Sequence, residues 1–146
     1  MALFRLKKNR SGQDFGDLEG QELKKIRGRL QTGQRGEDLA FRLLKKKGYK
    51  ILERNYKSRI GEIDIIAREG RTIVFVEVKA RSSTAFGSAK WAVGEKKQHK
   101  LSLLALDYLK QHALLDQSAR FDVVAIDGDQ GREKVELIRN AFDLTC

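Results

Sequence analysis

Asp64, Glu77 and Lys79 stand inside two strongly apolar stretches of the chain, Gly61-Glu62-Ile63-Asp64-Ile65-Ile66-Ala67 and Val76-Glu77-Val78-Lys79. A carboxylate or ammonium in a buried strand costs several kcal/mol unless it is paired or holds a metal. Two carboxylates and a lysine on one sheet face suit hydrolysis of a phosphodiester. The hard oxygens of Asp64 and Glu77, with the backbone carbonyl of Val78, are donors for Mg²⁺ or Mn²⁺. A bound cation lowers the pKa of its water and offsets charge on the attacked phosphoryl group. Lys79 can orient that water or stabilise the developing negative charge.

Two further polar residues lie where apolar ones are expected. Glu37 precedes Ala40, Phe41 and Leu44 on a helical pattern, so it lies on or beside the apolar face and can reach the same metal. Gln98 extends the apolar stripe of a later helix by one turn and can anchor the site from there. Each has a plainer reading. A Glu-x-Lys on a strand is usually an exposed charge pair, and a first-turn glutamate is favoured by the helix dipole. The combination with an aspartate in an apolar strand favours a site.

The elements that must position these groups follow from periodicity. Leu39, Ala40, Leu43 and Leu44 recur at helical spacing before Gly48, which predicts a helix over 34–47. Strands are expected over 49–56, 62–68 and 71–80, the last two joined at Glu69-Gly70. With that loop Arg68 opposes Arg71, and Asp64 opposes Phe75 and lies diagonal to Glu77. Alternation then puts Asp64, Glu77 and Lys79 on one face, and a three-residue loop would break the arrangement. A long helix over 91–112 follows, striped by Leu101, Leu104, Ala105, Tyr108 and Leu109. A buried strand over 121–126 and an edge strand over 134–139 complete the order α-β-β-β-α-β-β. The expected class is α/β or α+β, a mixed sheet flanked by helices.

Composition narrows the partners. The chain has 146 residues, 40% of them hydrophobic, which suits one globular domain over 31–146. Residues 1–30 are charged and aperiodic and read as a mobile basic arm. Lys plus Arg outnumber Asp plus Glu by 30 to 20, a formal +10. A small protein this basic usually meets a polyanion, most often nucleic acid. The one cysteine, Cys146, allows no disulfide within the chain, which fits a reducing, cytoplasmic setting. His99 and His112 are too few and too far apart for a zinc site. No apolar run approaches the roughly 18 residues of a membrane span, so no membrane partner is expected.

Basic groups flank the carboxylates. Arg54, Arg59, Arg81 and Lys97, with the hydroxyl of Ser82, are the expected phosphate contacts, which give affinity without sequence readout. Trp91 suits base stacking or a place in the core.

Taken in order, Gly33-Gln34-Arg35-Gly36-Glu37, Gly61-Glu62-Ile63-Asp64, Glu77-Val78-Lys79, Phe86-Gly87, Lys97-Gln98 and Arg120-Phe121-Asp122-Val123 resemble the YraN family of bacterial proteins. That family is placed in the PD-(D/E)xK nuclease superfamily, and the pattern is similar, more distantly, to archaeal Holliday-junction resolvases. The resemblance covers roughly residues 30–140 and implies a restriction-endonuclease-like fold. It implies Asp64 and Glu77 as acidic metal ligands, Lys79 as the catalytic lysine, Glu37 as the helix glutamate of the resolvase-like branch, and Gln98 as a polar residue of the following helix.

The leading expectation is a Mg²⁺- or Mn²⁺-dependent endonuclease on DNA rather than RNA, including branched DNA. Resolution of a symmetric junction would require a homodimer. The rivals are a nucleic-acid-binding protein that keeps the fold without the chemistry, and a basic adaptor that docks through residues 1–30.

Overall fold

The computed structural model describes residues 33–81, 93–128 and 131–145. The expected arm 1–30, Ser82, the Phe86-Gly87 pair and Trp91 lie outside them. Helix α1 occupies residues 33–46. It is followed by β1 (Lys50–Lys57), β2 (Glu62–Glu69), β3 (Thr72–Arg81), α2 (Glu95–Gln111), β4 (Ala119–Asp127) and β5 (Lys134–Phe142). This is the expected order of an α+β protein. The strands form one sheet in the order β1-β2-β3-β4-β5, antiparallel except for the parallel pair β3 and β4. A parallel neighbour needs a crossover, and α2 supplies it.

Helix α1 stops where its sequence changes. Gly48 adopts φ +90° and donates its N–H to Lys45, while Tyr49 donates to Leu44 at 2.9 Å. These two bonds satisfy carbonyls that the helix end would orphan, and Leu44 and Tyr49 pack in the same cluster. The buried stripe of α1 is Gly36, Ala40 and Leu44, spaced by four. Gly36 matters because a Cβ there would lie 3.0 Å from the Cβ of Ala80, so the helix start rests directly on β3. Gly36→Leu is expected to force α1 off the sheet and destabilise by about 1–3 kcal/mol, read as a lower urea midpoint.

The sheet is covered on both faces, which is why β2 and β3 read as nearly continuous apolar runs. Ala40, Leu44 and Tyr49 pack with Ile65, Ala67, Val74, Val76, Val124 and Ile126 on the α1 face. Leu101, Leu104, Ala105, Tyr108 and Leu109 pack with Ile63, Ile66, Ile73, Phe75 and Phe121 on the α2 face. Tyr108 meets the rings of Tyr56 and Phe75 edge-on at 5.3 and 5.8 Å, a preferred aromatic geometry.

Two expected boundaries shift for local reasons. The second helix begins at Glu95, after Gly94 in extended conformation, a poor helix former that delays the start. Strand β5 runs on to Phe142 through a bulge at Asn140, φ +50°, opposite the Phe121/Val123 step.

Candidate active site

The hairpin loop is Gly70-Arg71, one residue later than expected, with Glu69 facing Thr72 and Arg68 facing Ile73. Gly70 takes φ +58°, a conformation glycine adopts without strain and a glutamate would not, so the turn centres there rather than on Glu69-Gly70. The loop keeps two residues, so alternation holds from Ile65 to the turn. It breaks at Asp64, where Ile63 packs with Ile66 on the α2 face while Ile65 packs on the α1 face. In this register the residue after Ile65 towards the strand's start would face Glu77 rather than Phe75. That pair does not form. The ladder between β2 and β3 ends at Ile65 facing Val76, while β2 stays paired to β1 through Tyr56–Ile63 and Lys57–Glu62.

Asp64 fills the resulting gap. Its Oδ2 accepts the backbone N–H of Val78 at 2.8 Å, replacing a ladder bond with a carboxylate. Glu77, buried on the adjoining strand, stands beside it. Burial, and then the negative charge of Glu77, push the Asp64 carboxyl up to about 6, against the opposing pull of the Val78 N–H and Lys97. Two lysines share Glu77. Lys97 Nζ lies 2.5 Å from Oε1, and Lys79 Nζ lies 3.9 Å from the same oxygen. Burial, and then the charge of Lys97, lower the Lys79 ammonium. For Lys97 burial opposes the charge, but the hydrogen bond and charge of Glu77 outweigh it and raise the group.

Glu37 comes to the same region from α1. Burial, and then the charge of Asp64, raise its carboxyl, partly offset by Asn55. In the amide orientation that matches donors to acceptors, Asn55 donates to both Glu37 oxygens at 3.0 and 3.1 Å. Asn55 sits on β1 between the pairs Arg54–Ile65 and Tyr56–Ile63, across from Asp64, with φ +53°. Asparagine tolerates that conformation better than most residues. Sequence reasoning missed Asn55. The β1–β2 register, which would have placed it across from Asp64, was the signal.

The remaining expected residues divide. Gln98 donates its amide N–H to the Val93 carbonyl at 3.0 Å, bridging α2 to the segment before it. Arg54 is held by Asp38 at 2.7 Å and lies 4.6 Å over the Phe41 ring, which ties β1 to α1. Arg59 is exposed in the β1–β2 turn. Arg81 ends β3, where its carbonyl accepts the Gly128 N–H. Lys97, expected on phosphate, is the nearer of the two ammonium groups on Glu77.

Among the described residues no three carboxylate, imidazole or thiol groups converge into a ready-made cage. The Asp64–Glu77 pair nevertheless fits a hard divalent cation. It offers two carboxylates whose mutual repulsion a cation would relieve, and magnesium keeps most of its shell as water.

The model of "Uncharacterised protein family UPF0102" matches residues 36–126, well over half of the chain. The chain belongs to this family. A UPF0102 protein of Syntrophus aciditrophicus is 50% identical over 115 residues, covering 79% of this chain and 91% of the relative. One of Desulfosudis oleivorans is 51% identical over 116 residues, covering 79% and 92%. One of Geotalea daltonii is 50% identical over 113 residues, covering 77% and 89%. The UPF0102 match begins at Gly36 and spans Glu37, Asn55, Asp64, Glu77, Lys79 and Lys97, so the whole candidate site lies within it. No helix among the described residues is long and apolar enough to cross a membrane.

Proposed function

We propose that the protein is a divalent-cation-dependent endonuclease that hydrolyses phosphodiesters in DNA, branched forms included. The observation that carries this reading is the carboxylate pair, Asp64 and Glu77, at the point where β2 parts from β3, with two ammonium groups beside it. The basic balance of the chain supports a polyanionic substrate. So does the resemblance to nucleases with an acidic pair followed by a lysine.

Asp64 and Glu77 would hold Mg²⁺ or Mn²⁺, with the Val78 carbonyl and Glu37 as further oxygen donors. The bound cation would supply an acidified water and a counter-charge for the phosphoryl oxygens. The chain's own groups do the rest. Asp64 is oriented by the Val78 N–H. Asn55 fixes the direction of Glu37. Lys79, lowered by burial and by Lys97, is suited to steer a water or stabilise the pentacovalent phosphorus. Arg59, Arg81 and Ser82 would bind the phosphates on either side, and Arg54 would hold α1 against β1. Cutting both strands of a symmetric junction would require a homodimer.

The test is cleavage of labelled plasmid, single-stranded and four-way-junction DNA in Mg²⁺ or Mn²⁺ against EDTA. Cation-dependent cutting is expected, and Lys79→Ala is expected to lower the rate at least about 10²-fold with DNA binding retained. One observation favours a second reading. The ammonium of Lys97 already compensates Glu77, as a non-catalytic nucleic-acid-binding protein would tolerate. Binding of all three substrates with no cutting in either cation would establish that reading instead.

A further inference from the structure

The two lysines on Glu77 differ in their freedom to leave it. The side chain of Lys79 is 24% exposed and rooted in a central strand; that of Lys97 is 46% exposed and rooted in the first turns of α2. Lys97 nonetheless makes the shorter contact, to an oxygen of a carboxylate only 6% exposed. A half-exposed ammonium thus reaches inward to the group that a cation would need. Lys97 holds Oε1 of Glu77, so a divalent ion entering between Asp64 and Glu77 competes with it for that oxygen and is repelled while it stays.

A destination for it adjoins the site. Lys97 is one wall of a cavity of about 400 Å³ shared with Gly61, Glu62, Lys100, Leu101 and Leu104. The stem of Lys100 passes over Gly61 so closely that a Cβ there would lie 2.8 Å from its Cε, which places that lysine at the cavity. With Lys97 turned outward, two ammonium groups would line it against the one carboxylate of Glu62, which Lys57 already approaches at 3.9 Å, a positive balance that suits a phosphate.

We propose that Lys97 is an exchangeable occupant of the carboxylate site: it holds Glu77 until a divalent cation takes its place, then turns to a nucleic-acid phosphate in the Gly61–Lys100 cavity. The inference rests on the cation-dependent reading above and adds its regulation. Cation and nucleic acid then bind cooperatively, because each favours the same position of one side chain.

The experiment titrates the full chain with Mn²⁺ without nucleic acid, following free Mn²⁺ by electron paramagnetic resonance. Lys97→Met is expected to bind about tenfold more tightly than wild type, because an internal competitor is gone. Lys100→Met, which removes an equal charge that does not touch Glu77, is expected to change affinity by less than about twofold. Equal or weaker binding by Lys97→Met, or equal gains in both variants, would overturn the exchange. A second arm measures binding of a short DNA duplex with and without Ca²⁺. The cation is expected to strengthen binding by wild type more than by Lys97→Met, and equal strengthening would overturn the transfer to phosphate. Neither arm uses cleavage. A protein that binds Mn²⁺ in this order and cuts nothing refutes the nuclease and leaves the exchange standing.

Discussion

Asp64→Asn is expected to make the protein more stable in EDTA at pH 7.5 and to abolish its response to divalent cations. The two effects have opposite signs, which separates a site residue from a structural one. The Asp64 carboxyl is pushed up to about 6 by burial and by Glu77. Relative to an unfolded chain that titrates near the ordinary aspartate value, the folded protein holds this proton more tightly. The associated stability is therefore fully present below about pH 4 and is lost as pH rises through about 6, a difference of roughly 2–3 kcal/mol. An asparagine carries no such charge and can still accept the Val78 N–H. Its melting temperature should exceed that of wild type by several degrees, about 3–8 °C, at pH 7.5, and the gap should close by pH 4. Mg²⁺ should raise the wild-type value and leave the variant unmoved, because the charge that would bind it is gone. If the proposed chemistry holds, cleavage falls at least about 10³-fold. A lower melting temperature for Asp64→Asn at neutral pH would make Asp64 a structural residue.

Asp122→Ala is expected to be the most damaging single change to stability, and to act without touching the candidate site. Asp122 is 0% exposed and accepts four hydrogen bonds. They come from the Tyr49 hydroxyl at 2.9 Å, Arg120 Nε at 3.0 Å and Nη2 at 3.3 Å, and the Asn140 N–H at 2.9 Å. Arg120 also donates to Glu69, which Arg139 shares. Burial lowers the Arg120 guanidinium, but its bonds to Asp122 and Glu69 raise it by more. Burial, with the bond to Asp122, pushes the Tyr49 hydroxyl up to about 12. Removing the carboxylate takes the buried partner from the Arg120 guanidinium and leaves it only Glu69 and the Tyr49 hydroxyl. It also unpins the β5 bulge and takes from Tyr49 the acceptor of its hydroxyl. Breaking one side of such a network costs about 3–5 kcal/mol, equivalent here to a fall of roughly 10 °C or more in melting temperature. Tyr49→Phe removes the two bonds of one hydroxyl, to Asp122 and from Arg120, and leaves the carboxylate–guanidinium pair intact, so it should cost only about 1–2 kcal/mol. Equal losses for the two substitutions would show that the network does not centre on Asp122. Mn²⁺ binding by the folded fraction of Asp122→Ala should match wild type. The Arg120-Phe121-Asp122-Val123 segment, one of the motifs of the family resemblance, thus has an architectural part in the fold.

Much of this could be read from residue order alone. Helical spacing of Leu39, Ala40, Leu43 and Leu44 with Gly48 beyond, alternation and apolar runs in β2 to β4, and the loop glycines are local properties. They determined the element order, and they isolated Asp64, Glu77 and Lys79 as misplaced charges. The Arg54–Asp38 pairing, the turn of Gln98 towards Val93 and the seating of Lys97 on Glu77 were not legible, because each joins segments whose approach depends on packing. The hairpin shows where the division falls. Its existence followed from the sequence, and so did its faces from Ile65 to the turn, where alternation needs only parity; the break at Asp64, which sends Ile63 to the same face as Ile66, did not. Tertiary structure decided the rest: where the turn is centred, where β2 leaves β3, and therefore that Asp64 meets Val78 and Glu77 across a gap instead of across a ladder. That choice reflects the summed packing of two helices on two faces of one sheet, a free energy that no single segment carries in its own residues.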